Sequence, residues 1–570
     1  MNDIRRTILW VIFGFSMVLL WDQWQIYNGH KATFFPGPVK AVAVVNAPAA
    51  ASGVSSGVPV ASAVVNSAQV SGSGTPIVPV VNASAGPRER FVVTTDVLKL
   101  TFDTEGGSLV KTEFVKHIDK DDKSTNFVLL DDSKDRIYMA QTGLIAGAAG
   151  GIFPTHKTVM TAAPGARTLA DGSQELVIRF ESPELGGVKL VKTFTLSRGA
   201  YVVAVKHEVV NVGTVAVSPQ LYLQLVRDGN KPPGESSFYS TFTGPAIYTD
   251  AKKYQKVEFA DIEKNKVDVE KTAENGYIAM VQHYFASAWL LGDGIKRDLF
   301  MRKVDTNLYA VGMITALESI APGASKTVDA RFFAGPQAEK VLESMTPGLE
   351  LVKDYGWLTI LAKPLYWLLD QIQNFVGNWG WSIMALVLLL KIAFYWLNAK
   401  AYASMAKMKA VNPKITEMRE RLKDNPQQMQ QEMMRIYREE KVNPMGGCFP
   451  IMIQIPVFIA LYWVLLSSVE MRNAPWVLWI HDLSSPDPFY ILPIVMTLTT
   501  VLQTALNPAP PDPMQAKMMW FMPLAFSVMF FFFPAGLVLY WITNNILSIA
   551  QQWVINTRMG VPPQFNLPKF

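Results

Sequence analysis

The chain has 570 residues, 50% of them hydrophobic, 11% aromatic and 17% charged, with a formal net charge of +5. That is too apolar for an ordinary soluble protein and too polar for one that is membrane throughout, so a large soluble domain beside a set of spans is expected. One cysteine, Cys448, excludes an internal disulfide, and the lack of any Gly-Lys dipeptide excludes a Walker-A phosphate loop.

In chain order, Arg5 and Arg6 precede an apolar run over 7–21 with no small-residue cleavage site after it. An uncleaved anchor over 1–24, its N-terminus cytoplasmic, is expected; a cleaved signal peptide is the alternative. Residues 25–90, chiefly Ala, Val, Ser, Gly, Pro and Asn, read as a flexible periplasmic tether. Over 91–345 apolar residues recur at every second position, as in Val203, Val205, His207 and Val209, between turn signals such as Gly106-Gly107 and Gly186-Gly187. This predicts a large antiparallel β-sandwich. His207-Glu208 does not continue as a zinc-protease helix, because Asn211 stands where a second histidine would be. His117, His156 and His283 show no ligand spacing either, so no metal, cofactor or catalytic residue is expected.

At 357–376 the period changes to that of a helix. Leu361, Leu365, Leu368, Ile372 and Phe375 share one face, predicting an amphipathic helix in the outer membrane interface. Five spans are predicted to follow, at 380–399, 450–468, 490–506, 518–533 and 535–554, with a cytoplasmic tail over 555–570. The loop over 400–441 carries about ten Lys and Arg and the loop over 470–489 only Arg472. The first is therefore expected inside and the second outside, which gives six spans with both termini cytoplasmic and the β-domain periplasmic. Within 400–445, Met405, Met408, Ile415, Met418 and Leu422 form one apolar stripe, and Met429, Met433, Ile436 and Tyr437 another. The two stripes predict a helical hairpin with an apolar seam; the methionines also suit a pliable surface for varied apolar clients.

Lys391 lies inside an apolar segment, where a charge costs roughly 2.5–3.5 kcal/mol even on mild insertion scales. With each span given a direction, Lys391, Gln454, the face of Thr497, Thr500 and Gln503, and the face of Tyr540, Asn544 and Ser548 fall mostly toward the cytoplasm. The outer halves, at 384–388, 458–466, 491–496 and 529–533, are nearly free of polar side chains. One reading is a hydrophilic groove wet from the cytoplasm and sealed outside, which shortens the dry path for polar parts of an entering polypeptide. The other is a lysine snorkelling toward the level of Trp396, with the amides and hydroxyls as interhelical glue.

From Asp354 onward the chain resembles the YidC-type membrane protein insertases of Gram-negative bacteria, within the wider Oxa family. The likeness rests on Gly356-Trp357-Leu358, Phe375-Val376-Gly377-Asn378-Trp379-Gly380, Lys441-Val442-Asn443-Pro444-Met445-Gly446-Gly447-Cys448-Phe449-Pro450, Trp479-Ile480-His481-Asp482-Leu483 and Phe533-Pro534-Ala535-Gly536-Leu537. The β-domain matches more loosely, through Thr95-Asp96-Val97-Leu98. The resemblance implies a polytopic α-helical membrane protein with six transmembrane helices, five forming the insertase core, and a periplasmic β-super-sandwich. It implies an inner-membrane insertase and chaperone, not an enzyme, that needs no ATP hydrolysis and acts on nascent membrane proteins alone or beside the Sec translocon. The ribosome, the signal recognition pathway and the lipid bilayer are further expected partners; no nucleic-acid motif is present. The groove cation of such proteins maps onto Lys391, where arginine is usual; lysine keeps the charge and loses the planar five-donor fork. The client-contacting aromatic pair maps onto Tyr540 and Trp541. A short tail after Arg558 lacks the long basic extension that some relatives use on ribosomes. The competing functions are a solute transporter, which would call for internal repeat symmetry, and an envelope carbohydrate-binding protein acting through the β-domain.

Overall fold

The computed structural model describes residues 58–59, 87–120, 122–147, 150–232, 241–422, 425–440, 449–507, 513–558, 560 and 565, with the backbone alone at 357, 409, 412, 426, 449–454 and 513–515. The expected anchor, nearly all of the tether, most of the tail and the Gln454 side chain lie outside the described residues. The chain divides into two compact units, one running to Lys353 and one from Asp354.

The first unit is two antiparallel sheets. In one, the strands run in the order 90–94, 98–103, 108–118, 137–146, 219–228, 308–316, 297–305 and 272–273, with 126–128 and 131–132 at its side. In the other the order is 253–256, 244–249, 277–281, 285–291, 325–336, 202–211, 188–197, 175–181 and 161–162. The period-two pattern acts as alternation predicts: Val203, Val205, His207 and Val209 are buried, while Ala204 and Lys206 face solvent. Strand Pro219–Asp228 is different, being buried on both faces, and Gln224 Nε2 donates there to Gln141 Oε1 at 2.8 Å. The core between the layers includes Phe102, Phe180, Phe194, Trp289 and Phe332.

Polar groups rivet the layers together. Tyr138 Oη and Ser287 Oγ lie 2.7 Å apart, Trp289 Nε1 donates to the Gln224 carbonyl at 3.2 Å, and Lys192 Nζ donates to the carbonyls of Gly106 (2.5 Å) and Thr142 (2.7 Å). Gly106 is left-handed (φ 72°), and a β-carbon there would overlap the His156 carbonyl. Beyond Pro336, Leu342, Leu349 and Val352 pack onto Tyr248, Tyr277 and Phe333, so this unit runs past the expected end at 345.

The second unit is helical: α1 (Thr359–Val376), α2 (Trp379–Ala393), α3 (Tyr395–Arg421), α4 (Pro426–Glu439), α5 (Phe449–Ser467), α6 (Ile491–Leu506), α7 (Pro513–Met529) and α8 (Ala535–Arg558). Gly377 ends α1 in the left-handed conformation, and the Asn378 side chain then caps α2 by accepting from the Trp381 amide. The segment expected as one span over 380–399 is instead two helices meeting at Phe394 with a bend of 68° between them, and α3 continues through residue 399 without interruption. Among the described residues no single helix is long and apolar enough to cross a membrane. The bent pair Trp379–Ala393 with Tyr395–Met408 passes that test together, and Ile455–Ser467, Ile491–Leu506 and Ala516–Phe532 are shorter apolar helices. Large apolar side chains stand exposed on this unit, Ile360 at 88%, Phe375 at 93%, Trp396 at 68% and Phe521 at 68%. A water-facing surface seldom carries so many.

Candidate functional site: a hollow beside Lys391

Lys391 sits in the last turn of α2 with its side chain turned inward, only 5% exposed. Its ammonium donates to Ser548 Oγ of α8 at 2.7 Å, and Ser548 also bonds the Tyr402 hydroxyl of α3. The snorkelling alternative is therefore not the arrangement found. Beside the lysine is a small hollow of about 20 Å³, lined by Val387, Leu390, Lys391, Phe394, Asn398, Val457, Tyr540 and Asn544. Lys391, Asn398, Tyr540 and Asn544 bring polar groups to a lining that is otherwise apolar.

Of the expected polar set, Lys391, Asn544 and Ser548 come together here, and Tyr540 joins them. Thr497, Thr500 and Gln503 do not line the hollow. Thr497 donates to the Pro493 carbonyl of its own helix, and Thr500 belongs to a second cluster in which Asn545 Nδ2 donates to Thr499 Oγ1 (3.2 Å) and Thr500 Oγ1 (3.0 Å). Adjacent residues of a helix point about 100° apart, so Asn544 faces the hollow and Asn545 faces α6. Trp541 packs in an aromatic group with Phe458 and Phe530, at ring separations of 4.1 and 4.7 Å, and Tyr540 meets the same Phe458 at 5.0 Å.

Two polar residues at this site were not singled out from the sequence. Gln551 Nε2 donates to the Lys391 carbonyl at 3.1 Å, and Asn398 Nδ2 donates to Gln551 Oε1 at 3.3 Å. The signal was available in part, since Gln551 continues the face of Asn544 and Ser548 by one more turn.

The end of the unit near Asn378 is closed by the connection over 469–490. Asn378 Nδ2 donates to the carbonyls of Pro475 and Trp476, and Trp476 lies flush on Gly380, where a β-carbon would run into the indole. Leu483 and Ser485 supply the carbonyls that receive the first amides of α8, at 2.9 and 2.8 Å. Asp482 and Asp487 hold the connection in shape: Asp482 accepts from the Asn473 and Ser484 amides, Asp487 from Trp479 Nε1 and the Leu492 amide.

Most of the methionine stripes pack in the seam of the hairpin. Met418 is buried in the α3–α4 seam with Val411 and Ile415, and Met408, Met429 and Met433 pack against it; Met405 is half-buried outside that cluster. Among the described residues no group of His, Cys, Asp or Glu could hold a metal ion.

Residues 90–368 match the family model of the YidC periplasmic domain, and residues 371–561 that of the 60Kd inner membrane protein. The chain is 57% identical over 560 residues to the membrane protein insertase YidC of Cupriavidus necator, with 98% of each chain covered. The chain belongs to the YidC family of membrane protein insertases. The member from Burkholderia multivorans is 51% identical over 559 residues, covering 98% of this chain and 99% of that one. Among solved structures, an active YidC insertase with its first transmembrane domain resolved is similar at 18% identity, covering 82% of this chain and 92% of that chain, with a TM-score of 0.37. The family is one of inner membrane proteins with a periplasmic domain.

Proposed function

We propose that this protein places nascent hydrophobic segments into the inner membrane by way of the hollow beside Lys391, open toward the cytoplasm and drawing no energy from nucleotide. The carrying observation is the inward Lys391 ammonium, held by one serine hydroxyl at the wall of a hollow with room for about one water molecule. A buried charge with so few partners is costly unless water or a client shares it. The closed connection over 469–490 supports a path that begins from the other end. In this reading 1–24 and five later segments span the membrane, with both termini cytoplasmic, α1 lies in the outer interface, and the bent α2–α3 pair carries the charge partway in. Asn544 and Tyr540 meet the client in the hollow. Gln454 and Gln503 extend the polar path, while Thr497, Thr500 and Trp541 pack the helices that flank it. The α3–α4 hairpin offers its methionines as its seam opens. The Sec translocon is a partner for longer clients, and the ribosome or signal recognition pathway delivers them.

Photo-crosslinking tests this reading. A benzophenone side chain at Asn544 should label a stalled nascent membrane segment, whereas one at Phe521 on the outer face of α7 should label lipid. Equal client labelling from both positions would reject the hollow as the route.

A further inference from the structure

The bend between α2 and α3 has no local residue to explain it. Sharp helix kinks arise at proline, at glycine or serine pairs, at π-bulges, or where a side chain enters the i→i−4 ladder. Residues 385–397 contain no proline, glycine or serine. Gln551 of α8 is a side chain that stands at the ladder at this point. Its Nε2 donates to the Lys391 carbonyl, whose helical partner would be the Tyr395 amide at the break, and its Oε1 accepts from Asn398, four residues beyond Phe394. One amide thus grips both sides of the bend. Ser548, three residues earlier and on the same face of α8, holds the Lys391 ammonium. Both the side chain and the main-chain oxygen of the lysine are fixed by a single helix.

We infer that Gln551 is a positioning residue of the insertion process: together with Asn398 it latches the α2–α3 bend, and the bend keeps the Lys391 ammonium at the wall of the hollow. Without the latch the two helices straighten toward one rod, and the charge leaves the place where an entering polar segment would meet it. This inference rests on the reading of the hollow as the client path, and it assigns the bend to two residues that do not themselves need to touch a client.

The test uses the full-length protein in liposomes with Cys448→Ser and paired spin labels at the exposed positions Leu388 and Lys407. At about 1.5 Å per residue, a 68° bend at Phe394 holds these backbones about 24 Å apart, and a straight rod about 28 Å. Gln551→Met keeps the volume and removes both hydrogen bonds. It should move or broaden the distance distribution toward the longer value and lower insertion of a client with a short polar tail about tenfold. Asn398→Leu should do the same, and the double variant no more than either, since the two act as one latch. An unchanged distribution in both single variants overturns the latch. A shifted distribution with unchanged insertion, in a protein whose Lys391→Leu variant is impaired, overturns the positioning role and leaves the hollow standing. Full activity of Lys391→Leu overturns the underlying reading of the hollow.

Discussion

Lys192 and Lys391 are buried in different units, and they differ in how many partners hold them. Lys192 lies between two sheets, fully enclosed, with two backbone carbonyls as acceptors and His207 nearby through Thr142. One carbonyl lies in the tight turn at Gly106 and the other in the strand over 137–146, so both acceptors are fixed by the backbone of the facing sheet. Lys391 has one hydroxyl as its acceptor and empty space on its open side. Burial alone therefore says little about function. What matters for the proposed role is whether the partner can be exchanged, and a single side-chain hydroxyl is easier to replace than two backbone carbonyls.

The sharpest way to break this comparison is through pH. Burial pushes the Lys192 amine down to about 7, far below its ordinary value of 10.5. A lysine lowered on folding penalises the native state in full below its folded value, and the penalty is relieved as pH rises toward the unfolded one. The stability of the β-unit should therefore rise by roughly 3 kcal/mol between pH 7 and about 9.5, and Lys192→Met should abolish that rise; denaturant melts at the two pH values check it. Burial also holds His156 and His207 neutral down to about 3, so stability should fall as pH drops from about 6.5 toward that value.

Next in size is the fit at Gly380. Gly380→Ala places a methyl against the Trp476 ring and should destabilise the helical unit by about 1–3 kcal/mol, read from thermal unfolding of the solubilised protein. Lys391→Leu should lower insertion into liposomes about tenfold, or about 1.4 kcal/mol, with the melting of the β-unit unchanged. Lys391→Arg should stay close to the parent, because it keeps the charge. If Lys391→Leu inserts clients normally while Lys192→Met loses insertion, the contrast is reversed. The smallest effect is expected from Asn545→Ala. Thr499 and Thr500 keep their bonds to the Met496 carbonyl, so the loss should be below about 1 kcal/mol in the same melt.

Local pattern made much of the molecule legible. The alternation of Val203, Val205, His207 and Val209 states which side of a strand faces the core, and it does so without knowledge of any partner strand. The hairpin seam of Met418 and Ile415 against Met429 and Met433 is legible for the same reason, since helical spacing is a property of each segment alone. The bend at Phe394 is not, because its cause lies 157 residues away on another helix, and neither Ile392 nor Tyr395 breaks a helix. The pairing of Thr500 with Asn545 rather than Asn544 was out of reach too. Both asparagines carry the same chemistry, and only the rotation of α8 against α6 decides between them. Lys192 shares the inward face of its strand with Leu190 and Phe194, but its carbonyl partners lie on the facing sheet and so are not legible locally.

The strand order of the sandwich also bears on when the domain can close. Its last strand, Ser325–Pro336, is flanked in the sheet by Val202–Asn211 and Phe285–Leu291. A chain delivered from its N-terminal end must therefore leave a gap in the middle of that sheet until residue 336 has emerged. Until then, two interior strands offer bare amides and carbonyls to whatever extended peptide is near, and the final strand ends that exposure by filling the slot.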